Sequence, residues 1–190
     1  MKKIALLLLL CVSLVLGEVS FGEKLSSAAL TLTKDSVSYN ASYFKIPYPN
    51  GDIPSNYGVC TDVVIRAYRK LGIDLQKLIH EDMAANFDKY PKNWALKRTD
   101  TNIDHRRVPN LAYFFSRHGK VLKISKEAKD YAPGDIVVWG LPNGSMHIGI
   151  VSNVKEGERY MIVHNIGRGQ VLEDMLFSYK ITAHYAYFQP

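Results

Sequence analysis

Gly58-Val59-Cys60-Thr61-Asp62-Val63-Val64-Ile65-Arg66-Ala67-Tyr68 is the stretch from which the fold is read. Val64, Ala67 and Leu71 follow Cys60 at offsets of four, seven and eleven, one face of a 3.6-residue repeat. A helix therefore begins here with a cysteine in its first turn, and Gly72 caps its far end. The face that enters the core carries Cys60 at its upper end. Free N–H groups and the positive end of the helix dipole favour a thiolate there, and the thiolate is the nucleophilic form. Tyr57 and Gly58 let the backbone come close to a substrate. The competing reading of Cys60 is a small buried hydrophobe, the common fate of a lone cysteine.

The start of the chain sets the compartment. Lys2 and Lys3 precede an apolar run from Ile4 to Leu16, and small residues follow at Gly17, Ser20 and Gly22. This is the layout of a secretory signal peptide, residues 1–22 with cleavage near 17–22, and the run is short for a membrane span. The alternative is an uncleaved anchor. Cleavage removes Cys11, so Cys60 is left as an odd thiol in a compartment where disulfides form, either reactive or hidden. The product is a periplasmic or secreted bacterial protein with no stable membrane insertion. Residues 23–190 suit one domain, with 47% apolar and 22% charged residues in the whole chain. The formal charge of +6 suggests an anionic partner. No basic run with interleaved aromatics is present, which argues against nucleic acid.

Outward from the Cys60 helix the chain falls into two halves. A short helix is expected over Leu25–Leu32, and a rigid proline loop over Ile46–Pro54. A second helix fits Leu75, Leu78, Ile79, Met83 and Phe87, with His80-Glu81-Asp82 on a solvated face. These three do not form a zinc HExxH pattern. Pro109 opens a third helix through Leu111, Phe114, Phe115 and His118. Strands are expected at Val121–Ile124, Ile136–Trp139, His147–Val151, Tyr160–His164 and Tyr185–Phe188, with a mixed segment over Val171–Phe177. Their short connections imply antiparallel pairing, and helices followed by an antiparallel sheet make an α+β fold.

His147 opens one strand and His164 closes the next. In an antiparallel pair these positions share one end of the sheet. If the Cys60 helix packs on the side they point to, one imidazole takes the thiol proton and the other orients it. His80, His105, His118 and His184 have no equivalent placement and read as structural. No tight Cys/His spacing supports a metal site.

The order of Cys60, then Pro133-Gly134-Asp135-Ile136-Val137, then His147-Ile148-Gly149-Ile150-Val151, then Met161-Ile162-Val163-His164 resembles the NlpC/P60 cysteine peptidases of bacterial cell walls, which are papain-like enzymes. Tyr57–Leu71, together with Asn102-Ile-Asp-His-Arg-Arg-Val-Pro-Asn-Leu111, resembles more closely the exported bacterial family DUF1287, over roughly Ile46–Phe188. The resemblance implies a papain-like NlpC/P60-type core and a Cys60–His147–His164 triad. It also implies hydrolysis of an amide bond in peptidoglycan or its peptide stems, as an endopeptidase or amidase without a cofactor. The Cys60 N–H and the Tyr57 hydroxyl are the expected oxyanion donors.

The usual Asp-Cys-Ser-Gly of the peptidases is replaced here by Val59-Cys60-Thr61-Asp62. Asp62 either meets substrate or anchors its loop. Tyr48 and Tyr57 are placed along the cleft. Arg106 and Arg107 are carboxylate clamps for a peptide stem, or else salt-bridge partners of Asp104 or Asp100. Two other outcomes keep the same residues: acyl transfer on a cell-envelope substrate, or an inactive cell-wall binding module.

Overall fold

The computed structural model describes residues 18–188; the expected leader's charged start, apolar run and Cys11 lie outside them. Helix α1 spans Phe21–Leu32, four residues earlier than the apolar pattern alone placed it. Its start is set by polar capping. The Ser20 hydroxyl accepts from the Glu23 N–H, and the Glu23 carboxylate accepts from the Ser20 N–H. The expected 17–22 cleavage window thus overlaps the head of this helix.

After α1 come the short strands β1 (Ser38–Tyr39) and β2 (Tyr57–Gly58), a parallel pair outside the main sheet. Helices α2 (Cys60–Lys70), α3 (Leu75–Ala85) and α4 (Val108–His118) follow, then strands β3 (Lys120–Val121), β4 (Ile136–Gly140), β5 (Met146–Glu156), β6 (Arg159–His164), β7 (Val171–Glu173) and β8 (Lys180–Ala186). The last six form one antiparallel sheet in the order β3-β8-β4-β5-β6-β7. The fold is α+β, helices on an antiparallel sheet. Strand β8 starts at Lys180, well before the expected Tyr185, and inserts between β3 and β4. Strand β3 is only Lys120–Val121, so the expected Val121–Ile124 strand is cut short.

Alternation along the strands splits the core in two. Ile136, Val138, Ile148, Ile150 and Val163 meet Leu25, Val63, Val64, Ala67, Tyr68, Leu111 and Phe115 of the helices. Val137, Trp139, Val151 and Ile162 meet Tyr131, Met175 and Leu176 on the opposite face. Each fully buried aliphatic side chain is worth roughly 1.5–3 kcal/mol. Both sheet faces are therefore covered, and the buried half of β5 is its first half, where His147 stands.

His80-Glu81-Asp82 is not a plain solvated face. Asp82 binds Arg117 in two hydrogen bonds of 3.1 Å, faces His118 at 3.0 Å and accepts from the Tyr90 hydroxyl, which locks α3 to α4. His184 is buried between Asp135 at 2.8 Å and the Lys123 carbonyl at 2.9 Å, a structural role as read from sequence.

Candidate active site

Cys60 is the first residue of α2. The helix start is fixed from within: the Asp62 carboxylate reaches back to accept from the Val59 N–H at 2.7 Å. The preceding strand is held from two sides. Arg66 donates to the Tyr57 carbonyl at 2.9 Å, and the Asn165 amide donates to the Gly58 carbonyl at 3.2 Å. Asn165 directly follows His164, so one side chain ties β2, which leads into the Cys60 helix, to the end of β6.

His147 and His164 are brought together. Trp139 pairs with His147 across β4–β5, and His164 follows Val163, which pairs with Ile150. The two rings lie at 82° with His147 Nε2 3.0 Å from His164 Nδ1. His164 Nε2 is 3.1 Å from the Glu173 carboxylate on β7, and the other Glu173 oxygen accepts from Arg168. A carboxylate only accepts, so His164 carries its proton on Nε2 and accepts on Nδ1 from His147 Nε2–H. His147 Nδ1 is then the nitrogen with the free lone pair. Gly149 leaves room for this pair: a Cβ there would stand 2.7 Å from Ile162 Cγ2 and 3.2 Å from His164 Cβ.

The helix packs on the other side of the sheet from the one expected. By alternation both histidines point to the Trp139–Ile162 face, while Val63, Val64 and Ala67 of α2 pack on the Ile148–Ile150 face. Cys60 joins them in that cluster, near enough to the Ile148 N–H for that group to lower the thiol's pKa. Burial, the largest effect, pushes the thiol up to about 11, although the Ile148, Thr61 and Cys60 N–H groups pull it down. Burial first and then the His164 ring bring His147 down to about 3, and burial lowers His164 against the pull of Glu173. At rest the thiol and the two imidazoles are thus all neutral, and Cys60 is not the thiolate that the helix end alone favours.

A cleft of about 350 Å³ opens over the sulfur, with Tyr39, Trp94, Arg107, Ser145 and Met146 on its walls. Tyr39, not Tyr57, supplies the nearby hydroxyl. Its pKa is raised by burial and then by the negative fields of Cys60 and Asp62. The Tyr57 ring instead stacks on Phe44 at 6.0 Å, and Tyr48 meets His80 edge-on at 5.2 Å; neither lines this cleft. Asp62 is buried and bound to Arg106 at 2.9 and 3.0 Å, so it anchors and does not meet substrate. Arg106 spends its remaining donors on the Ser42 and Asn40 carbonyls and is no free clamp. Its acidic partner is Asp62, not Asp104 or Asp100. Arg107 does reach the cleft.

Glu173, Tyr39 and Asn165 were not found from sequence. A register for the β6–β7 hairpin would have exposed Glu173, since Ile162 pairs with Glu173 and so sets it on the His164 side. Among the described residues no group of three His, Cys, Asp or Glu side chains stands close enough to hold a metal ion. No helix among them is long and apolar enough to cross a membrane.

A family model described as a domain of unknown function, DUF1287, matches residues 26–187, and the chain belongs to this family. The chain is 54% identical over 152 residues to the uncharacterized protein YijF of Escherichia coli (strain K12), covering 79% of this chain and 74% of that protein. It is similar to two solved structures from Trichomonas vaginalis. NlpC1 has 17% identity, a TM-score of 0.47 and coverage of 89% of this chain and 45% of that one. NlpC2 has 19% identity, a TM-score of 0.46 and coverage of 90% and 50%. The chain thus spans half or less of those structures.

Proposed function

We propose that this DUF1287 chain is an exported thiol hydrolase with a papain-like NlpC/P60-type site that opens an amide bond of peptidoglycan. The observation that carries the reading is the chain of 3.0 and 3.1 Å contacts from His147 through His164 to Glu173, next to the Ile148 N–H that acts on the Cys60 thiol. Such an alignment leaves one imidazole nitrogen, His147 Nδ1, to act as base.

In this reading the substrate enters the cleft, and the Cys60 thiol, meeting His147 around the end of β5 where the neighbouring Met146 lines that cleft, gives its proton to His147 Nδ1 as the sulfur adds to the amide carbonyl. The oxyanion takes hydrogen bonds from the Tyr39 hydroxyl and the Cys60 N–H. Collapse expels the amine, which leaves with the proton from His147, and a thioester remains. Water gives its proton to His147 and adds to the thioester; the acid product departs and the thiol is restored. His164 and Glu173 touch no reacting atom; they hold the tautomer, and Glu173 supplies the counter-charge while His147 is an imidazolium. Export is part of the proposal, with cleavage next to Gly17, which keeps the Ser20–Glu23 cap intact.

The test is digestion of purified sacculi by the mature protein and by its Cys60→Ala variant, with products resolved by mass spectrometry. New fragments from the native protein alone support hydrolysis and identify the bond. Sacculi untouched by both overturn the reading for this substrate.

A further inference from the structure

Arg106 and Arg107 are adjacent, yet only the first is used up. Every Arg106 nitrogen has a partner in Asp62, Ser42 or Asn40. Among the described residues, none accepts a hydrogen bond from the Arg107 guanidinium or forms an ion pair with it, and its Nη1 is cut off from solvent with no acceptor. A buried donor left unmade is costly unless a ligand satisfies it. The guanidinium lies 4.4 Å from the Trp94 ring. Trp94 is itself unusual: it is 56% exposed and sits at φ 63°, a left-handed conformation that a bulky residue rarely holds. Both residues line the cleft over Cys60.

We propose that Arg107 and Trp94 form a carboxylate subsite of the Cys60 cleft, so that the substrate carries a free carboxylate within the span of that cleft. The proposal rests on the hydrolase reading for the site's purpose, but not for the subsite itself. A planar fork of donors matches a carboxylate, and the indole face fixes the fork's plane. Arg107 also acts on the Asp100 and Asp104 carboxyl groups.

The experiment uses the protein carrying Cys60→Ala, so that nothing is cleaved during titration. Two synthetic stem tetrapeptides are titrated, one with free carboxyl groups and one with every carboxyl amidated. The acid form is expected to bind roughly tenfold or more tightly than the amide form, and Arg107→Gln is expected to abolish that preference without changing the melting temperature. Equal binding of the two forms, or a preference that survives Arg107→Gln, overturns the subsite. If neither tetrapeptide binds, the peptidoglycan reading is at fault, and the subsite is judged separately by fluorescence. Trp94 and the fully buried Trp139 are the two tryptophans, so an accessible change reports Trp94. A response to N-acetyl-D-glutamate, absent with its diamide and absent in Arg107→Gln, upholds the subsite; no such response rejects it.

Discussion

Asp62 and Arg106, 44 positions apart, form a buried two-point ion pair with Nε–Oδ1 at 2.9 Å and Nη2–Oδ2 at 3.0 Å, their side chains 3% and 2% exposed. The pair pins the first turn of the Cys60 helix to the Asp104–Arg106 turn. Removing one partner strands the other charge away from water. Asp62→Asn or Arg106→Gln is expected to cost about 3–5 kcal/mol of stability, read as a lower urea midpoint. The double variant should lose less than the sum of the two. An Arg106→Gln protein as stable as the native one would contradict this.

Burial raises the thiol from its ordinary 9.0 to about 11. The thiolate fraction, and with it the alkylation rate of Cys60 by iodoacetamide, should climb about tenfold per pH unit up to about 11. Slow alkylation at neutral pH is therefore the expected resting behaviour and not a sign of a dead site. A rate already flat above pH 7 would mean that the thiolate forms there.

Acid should unfold the protein through its neutral histidines. Burial, aided by Arg106 and Arg69, brings His105 down to about 3 from the ordinary 6.5, and His147 shifts alike. Between these values the unfolded chain binds the extra protons. Their contribution to stability is complete above pH 6.5 and is lost as pH falls towards 3, by roughly 1.4 kcal/mol per pH unit for each histidine. Urea midpoints measured from pH 7 to pH 4 check the slope; a His105→Gln variant should show a shallower one.

Glu173 should matter to turnover and not to binding. Glu173→Ala frees the His164 tautomer and is expected to lower kcat on the order of a hundredfold with KM little changed. Glu173→Gln, which still offers an acceptor, should fall between. A loss confined to KM would assign Glu173 to substrate contact instead.

Gly149→Ala should act on the same pair by crowding. The added methyl would stand 2.7 Å from Ile162 Cγ2 and 3.2 Å from His164 Cβ, so Ile162 must shift and the base of His164 must give way by a few tenths of an ångström. Activity on sacculi should fall while the protein still folds, with a small drop in melting temperature. Unchanged activity would show that the ring has slack.

The helices and most strands were legible because burial imposes a period. Cys60, Val64 and Ala67 repeat along α2, and both faces of Ile136–Trp139 are apolar because both are covered. Strand β8 was read only at its end: Lys180–Ala183 does alternate polar and apolar, but Ile181 and Ala183 are only half-buried and four residues make a weak signal. The histidine pair followed from strand ends alone. Which arginine was free did not, because the Asp62–Arg106 pairing is a tertiary fact. The thiolate expectation failed on magnitude: a helix end is worth about 0.3–1 kcal/mol, less than burying a charge costs.

The amide of Asn165 on the Gly58 carbonyl joins segments 107 positions apart. A chain that emerges from its N-terminus completes the Cys60 helix long before His147, His164 and Glu173 exist to meet it. Until the last third of the chain is delivered, the Cys60 helix has neither the histidine pair nor the second anchor for the strand that leads into it. On the proposed hydrolase reading, assembly order acts as a safety catch: the thiol would gain its chemistry only once folding is nearly finished.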